Sequence, residues 1–165
     1  MSGFDTSEFR KALGCFPTGV TIVTARNPLD GRRVGITVSS FNSVSLDPPL
    51  VLWSLARRSP NLQPFERGAE HAIHVLSHAQ ADLARRFADS SADKFEGVIL
   101  ETDEKESPPI LADVAARFDC ITQTQYDGGD HVIVVARVTA FVATDKSPLI
   151  YSAGRLFSLS EVADR

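Results

Sequence analysis

The chain has 165 residues, 43% hydrophobic and 23% charged, with a formal net charge of −4. That is enough apolar material for one cored domain over residues 1–165, and the acidic balance argues against a general nucleic-acid binder, which carries a basic excess. No apolar run reaches membrane-span length, and MSGFDTSEFRKALGCF lacks the basic start and apolar stretch of a secretory signal.

In chain order, Phe9, Leu13 and Phe16 recur at helical spacing, so a short helix is predicted over Ser7 to Phe16, with Ser7 able to cap it. Pro17 and Gly19 stop it. The β-branched run Val20 to Ala25 reads as a strand, Asn27-Pro28-Leu29-Asp30-Gly31 as a turn, and Arg33 to Ser40 as the returning strand. Pro49 has no N–H to donate, so the next strand is predicted from about Leu50 to Ser54 or Leu55. Asn61 to Arg67 reads as a short helical segment and His71 to Leu76 as a strand. Ala79 to Ala88 reads as a helix, with Leu83 and Phe87 on one face. Ser90 to Pro109 is polar and reads as a loop with local turns. Ala116 to Tyr126 and His131 to Thr144 are two long strands joined by the hairpin signal Asp127-Gly128-Gly129-Asp130. Pro148 to Leu159 is a last strand or an ordered tail. Six or seven strands joined mostly by turns, with few short helices, predict a mainly β, antiparallel barrel. Cys15 and Cys120 form no CxxC pair and read as buried free thiols, which places the protein in the cytoplasm by default.

Three stretches stand out chemically. Thr37, Ser39, Ser40, Ser43, Ser45 and Ser54 crowd hydroxyls around a strand end. Converging O–H and N–H groups can hold a phosphate or a flavin ring edge; the plainer reading is a solvated strand edge. Arg57-Arg58-Ser59-Pro60-Asn61 could clamp a phosphate or be a solvated loop. Gly128-Gly129-Asp130-His131 would expose a histidine at a barrel rim, with Asp130 able to orient the ring although neighbours on a strand point to opposite faces; a hairpin-tip histidine without a task is the alternative. His71, His74 and His78 lie on strand-like sequence that turns His71 and His74 to opposite faces, so a metal site is not expected. Neither a GxGxxG nor a GxxxxGK[ST] motif is present.

The pieces FRKALGCFPTGVTIVTA, GITVSSFNSVSLDPPLVLWSL, RRSPNLQPF, LSHAQADLARRFA, DKFEG, GGDHVIVVARV and PLIYSAGRLFSL occur in this order over nearly the whole chain. Together they resemble the flavin reductase family that supplies reduced flavin to two-component monooxygenases. The resemblance implies an FMN-binding split β-barrel, Greek-key-like and antiparallel, that forms a homodimer and binds FMN or FAD near the dimer interface. It implies reduction of the flavin by NADH or NADPH and diffusion of the product to a monooxygenase, with no nucleic-acid or membrane partner. The absence of an obvious arginine cluster in the C-terminal half favours NADH. By the same resemblance, Thr37, Val38, Ser39 and Ser40 meet the flavin ring and side chain, and Ser43 and Ser45 lie near the ring or ribityl arm, with Ser54 counted in the same lining. Pro17, Thr18, Gly19 and Val20 line the cleft, and Ser59 and Asn61, with Arg57 or Arg58, hold the phosphate. His131 sits by the nicotinamide as the catalytic residue, and Tyr151, Gly154 and Arg155 border both rings. The chain departs from the family at Arg58, where many members have a small residue, at Ala136, where Gly is common, and over residues 151–154, which lack a bulky or basic middle. Two other readings are a non-catalytic flavin carrier or sensor on the same barrel and a pyridoxamine-phosphate-type oxidase; the latter calls for more basic residues than are found.

Overall fold

The computed structural model describes residue 3, residues 5–89 and residues 93–159. Ser90 to Ala92 of the predicted loop, and Met1, Ser2 and Phe4 of the N-terminal reading, lie outside them. The chain opens with α1 (Thr6–Gly14), and then come β1 (Thr18–Gly19), β2 (Thr21–Arg26), β3 (Arg33–Val38), β4 (Asn42–Leu46) and β5 (Pro49–Ala56). A 3-10 turn (Gln63–Phe65) leads to β6 (Glu70–Val75), and a second one (His78–Gln80) leads to α2 (Ala81–Ala88). The remainder is β7 (Leu100–Thr102), β8 (Ile110–Leu111), β9 (Ala116–Gly128), β10 (His131–Ala143), β11 (Ile150–Ser152) and β12 (Arg155–Phe157).

Seven strands form one antiparallel sheet in the order β3-β2-β6-β9-β10-β5-β4. Its two edges, β3 and β4, are consecutive in the chain and joined by residues 39–41. Such a link spans at most about 14 Å, whereas a flat seven-stranded sheet is about 29 Å wide at about 4.8 Å per strand. The sheet therefore curls until its edges are close, which makes a split barrel. Ser54 N donates to Ser40 Oγ at 2.8 Å and pins the link to β5. A separate sheet, β1-β11-β12, gathers the Pro17 and Tyr151 segments, with Thr18 paired to Tyr151.

Two apolar clusters lie on opposite faces of β2 and β6. Val23, Ala25, Trp53, Leu55, Phe65, Ile73 and Val134 fill the barrel. Val20, Ile22, Leu76, Ala84, Phe87, Phe95 and Leu111 pack outside it, beneath α2 and the segment that follows. Burial on both faces explains why β2 reads as a continuous apolar run and does not alternate. His71 and His74 do face opposite ways. His71 packs edge-on to Trp53 and Phe65 inside the barrel. His74 faces outward, its Nδ1 3.1 Å from Ile22 O while its Nε2 accepts from Leu111 N at 3.2 Å.

Local expectations are corrected in several places. Asp5, not Ser7, caps α1, its carboxylate accepting from Ser7 N at 2.7 Å. The predicted helix is present, ending at Gly14 and not at Phe16, and its stripe Phe9, Leu13 and Phe16 is exposed at 54%, 58% and 73%. Cys15 is exposed and only Cys120 is buried. Residues 42–46, read only as a hydroxyl-rich lining, form an edge strand with a bulge at Val44. The helix predicted from Ala79 starts with a 3-10 turn closed by a Ser77–Gln80 capping box. The long polar loop contains β7, and the last segment is a hairpin, not one strand.

Candidate functional site

A cleft of about 1070 Å³ opens beside the split, floored by β3 and the end of β5 and walled by Phe87 and Phe95. The floor is possible because residue 35 is glycine: a Cβ there would sit 2.2 Å from Phe87 Cε1 and 3.1 Å from Phe95 Cζ. The two rings meet edge-on at 4.8 Å, and the Arg33 guanidinium lies 5.1 Å over Phe95.

Seven of the sequence-predicted residues line this cleft: Thr37, Val38, Ser54, Arg58, Ser59, Asn61 and His131. The hydroxyl cluster divides. Thr37 Oγ1 donates to Ala84 O at 2.7 Å, so its proton anchors α2 to the floor and only its lone pairs remain for a ligand. Ser40 Oγ accepts from Ser54 N, another structural lock. Ser39 and Ser43 are exposed and Ser45 is half-buried, with Ser43 and Ser45 on edge strand β4, away from the cleft lining.

At one end the chain turns after β5, with Ser59 N donating to Ala56 O at 2.9 Å. Asn61 N donates to Ser59 Oγ at 3.2 Å, and Asn61 Oδ1 accepts from Arg32 Nη2 at 3.1 Å. Arg58, Ser59 and Asn61 thus share a wall with Arg32. Arg57 is turned away: its Nη2 binds Asp127 Oδ1 at 2.6 Å and its Nε donates to Gly129 O at 2.9 Å. Next to this turn, where Ala56 pairs with His131 across β5 and β10, His131 Nδ1 lies 2.7 Å from Asp130 Oδ1. Asp130 belongs to the turn and not to β10, so the alternation that would separate neighbours on a strand does not apply. The imidazole and its hydrogen bond hold the Asp130 carboxyl below its ordinary value, as Arg57 does for Asp127.

The remaining predicted residues gather elsewhere. Pro17, Thr18, Gly19 and Val20 run into β1 and on toward β2, beside β11, which carries Tyr151. Gly154 makes the β11–β12 turn at φ +78°, and the Arg155 guanidinium lies 5.0 Å over the Phe157 ring. The hairpin docks on the end of α1 through Ala153 N to Gly14 O at 2.9 Å. Thr18 Oγ1 is buried with no hydrogen-bond partner among the described residues.

Sequence reasoning missed the rest of the wall. Lys94 Nζ donates to Phe87 O at 3.0 Å and Gly35 O at 3.3 Å, tying the end of α2 to the floor. Burial lowers its pKa, and the Asp89 carboxylate opposes that. Arg26 and Arg33 bind Asp103. The DKFEG piece marked Lys94 and Phe95 by position, but nothing in its composition showed that it folds back on β3. The cleft lining includes five cations (Arg26, Arg32, Arg33, Arg58 and Lys94) against Asp89 and Asp93. Asp103 neutralises Arg26 and Arg33, and Asp30 pairs with Arg32, so among the described residues Arg58 is the guanidinium of this lining without an ion pair, and it favours an anionic ligand at that wall.

Comparison with known proteins agrees with this chemistry. The model of the flavin reductase like domain family matches residues 13–160. The "Probable flavin reductase" of Rhizobium meliloti (strain 1021) is 43% identical over 155 residues, covering 94% of this chain and 49% of that protein. The chain thus spans about half the length of that relative. The "Stachydrine N-demethylase reductase subunit Stc3" of the same organism is 42% identical over 163 residues, covering 97% of this chain and 69% of that protein. Further relatives are named as reductase components or subunits of flavin-dependent monooxygenases. Among solved structures, the NADH:FAD oxidoreductase SgcE6 of Streptomyces globisporus C-1027, in complex with NAD and FAD fragments, superimposes with a TM-score of 0.85 at 34% identity, covering 93% of this chain and 92% of that one.

Proposed function

The chain belongs to the flavin reductase-like family, and from that premise we propose that it is an NAD(P)H-dependent flavin reductase, delivering reduced FMN or FAD to a partner monooxygenase. The observation that carries the reading is one cleft with a basic, hydroxyl-bearing wall at Arg58, Ser59 and Asn61 and His131 also in its lining. A flavin fits it. The volume is at the upper end for small-molecule sites, and the lining carries the guanidinium and hydroxyl groups that a flavin phosphate needs, at Arg58, Ser59 and Asn61. The chemistry the bound pair supplies is hydride transfer from nicotinamide C4 to flavin N5.

This chain's residues bind, orient and shield. Arg58, with Ser59 and Asn61, holds the phosphate by charge-assisted hydrogen bonds. Val38, Phe87 and Phe95 are buried behind the lining and give the floor of the cleft a rigid apolar backing. His131, braced by Asp130, positions the nicotinamide. Ser39, Ser40, Ser43, Ser45, Pro17 to Val20, Tyr151, Gly154 and Arg155 complete the site from the neighbouring surface.

The site is finished by a second copy. Leu13 on α1, Phe16 just after it, Leu46 on β4 and Phe141 on β10 are exposed at 58%, 73%, 93% and 71%, apolar side chains that a second copy would cover. Among the described residues no helix is long and apolar enough to cross a membrane, and two free cysteines suit a cytoplasmic protein. A carrier or sensor would leave the Asp130–His131 pair without a task. The test is anaerobic addition of NADH or NADPH to the protein with FMN or FAD: loss of the visible flavin band supports the reading, and an unchanged spectrum with every pair refutes it.

A further inference from the structure

Arg57 follows the last residue of β5 that pairs with β10, where Ala56 faces His131. It meets the β9–β10 turn at three points. Its backbone N–H donates to Asp130 O at 2.9 Å, its Nε to Gly129 O at 2.9 Å, and its Nη2 to Asp127 Oδ1 at 2.6 Å. The same Asp127 oxygen accepts from Gly129 N at 3.0 Å. Gly129 has φ +77°, so the turn depends on a residue that adds no side-chain restraint of its own. The next two residues are Asp130 and His131, bonded to each other at 2.7 Å, and His131 lines the cleft.

We propose that Arg57 is a positioning residue: it staples the β9–β10 turn so that the Asp130–His131 pair is presented to the nicotinamide side of the cleft, and it is not a phosphate ligand. Resting on the reductase reading, this settles the two adjacent arginines by geometry. Arg58 lines the cleft and Arg57 does not. Reaching a phosphate would make the Arg57 side chain give up both of its bonds to the turn. A role in global stability is small, since the Arg57 and Asp127 side chains are 47% and 80% exposed and exposed pairs contribute little. What the staple restricts is the freedom of one short turn, and small misplacements at a reacting centre are expensive in rate.

The test compares Arg57→Ala, Arg57→Lys and Arg58→Ala with the parent, using NADH with FMN and NADH with riboflavin, which lacks the phosphate. Arg57→Ala is expected to lower kcat/KM for NADH about tenfold, mostly in kcat, by the same factor with either flavin. Its Kd for FMN stays within about twofold, the melting temperature moves by less than about 4 °C, and Arg57→Lys, which keeps one donor, recovers part of the rate. Arg58→Ala is the contrast and raises the Kd for FMN. A loss in Arg57→Ala seen with FMN but not riboflavin, a raised FMN Kd matching that of Arg58→Ala, or unchanged NADH kinetics overturns the assignment. A parent protein that reduces no flavin overturns the reductase reading instead, which keeps the two failures distinct.

Discussion

Replacing Gly35 by alanine adds one methyl group at the point where the floor of the cleft meets the outer core. In the structure that carbon would lie 2.2 Å from Phe87 Cε1, 2.5 Å from Phe87 Cδ1 and 3.1 Å from Phe95 Cζ. Neither ring can simply step aside. Phe87 is fully buried, it touches Phe95 edge-on at 4.8 Å, and the Lys94 ammonium ties its backbone carbonyl to Gly35 O. Overpacking of this kind costs about 1–3 kcal/mol. For a chain of this length that lowers the melting temperature by about 2–12 °C. Urea unfolding followed by the single tryptophan, Trp53, measures the cost. Because Phe87 and Phe95 line the cleft, FMN affinity falls together with stability. A Phe87→Leu change in the Gly35→Ala background relieves the clash, so the double variant should be about 1–2 kcal/mol more stable than the two single losses sum to. A Gly35→Ala protein within about 0.5 kcal/mol of the parent, or strictly additive single and double variants, would refute the packing account.

On the proposed role of Arg58 as the phosphate-holding guanidinium, Arg58→Ala is expected to weaken FMN binding about 10- to 100-fold, read by flavin titration. His131→Ala is expected to lower NADH turnover about tenfold, one hydrogen bond's worth, while flavin affinity changes less; steady-state kinetics beside the titration check this, and an unchanged turnover number removes the role. His71 and His74 are held neutral by burial, which lowers each to about 4 from 6.5. The unfolded chain takes up these protons below about 6.5 and the native one only near 4, so stability is complete above that upper value and is lost as pH falls through the window, by up to about 3 kcal/mol for each histidine. Urea midpoints measured from pH 7 to pH 4.5 should fall steadily; a flat profile contradicts the burial of both rings.

Much of the strand set was legible because its cause is local. The β-branched Val20 to Ala25 run, the Pro28–Gly31 turn and the Gly128-Gly129 hairpin read correctly from neighbours in sequence, and the position of Gly129 at φ +77° is what that signal requires. The order of the quoted pieces likewise pointed to the family that the comparisons establish. The spacing of Phe9, Leu13 and Phe16 correctly marked a helix, but the three face outward, because periodicity records that a stripe is apolar and not what covers it.

The composition of the cleft was a tertiary matter. Thr37, Ser54, Arg58 and His131 share one lining because the sheet closes β3 toward β4 and carries β5 beside β10. That closure also commits the Thr37 proton to Ala84 O and the Ser40 oxygen to Ser54 N, which no hydroxyl count reveals. Adjacent residues Arg57 and Arg58 are chemically alike in the sequence. They part only in the fold, where one meets the turn carrying Asp127 and the other the wall of the cleft. Spacing along a chain determines which side chains alternate; what each one meets depends on residues tens of positions away, brought close by pairings that cost conformational entropy and are repaid only when the whole barrel forms.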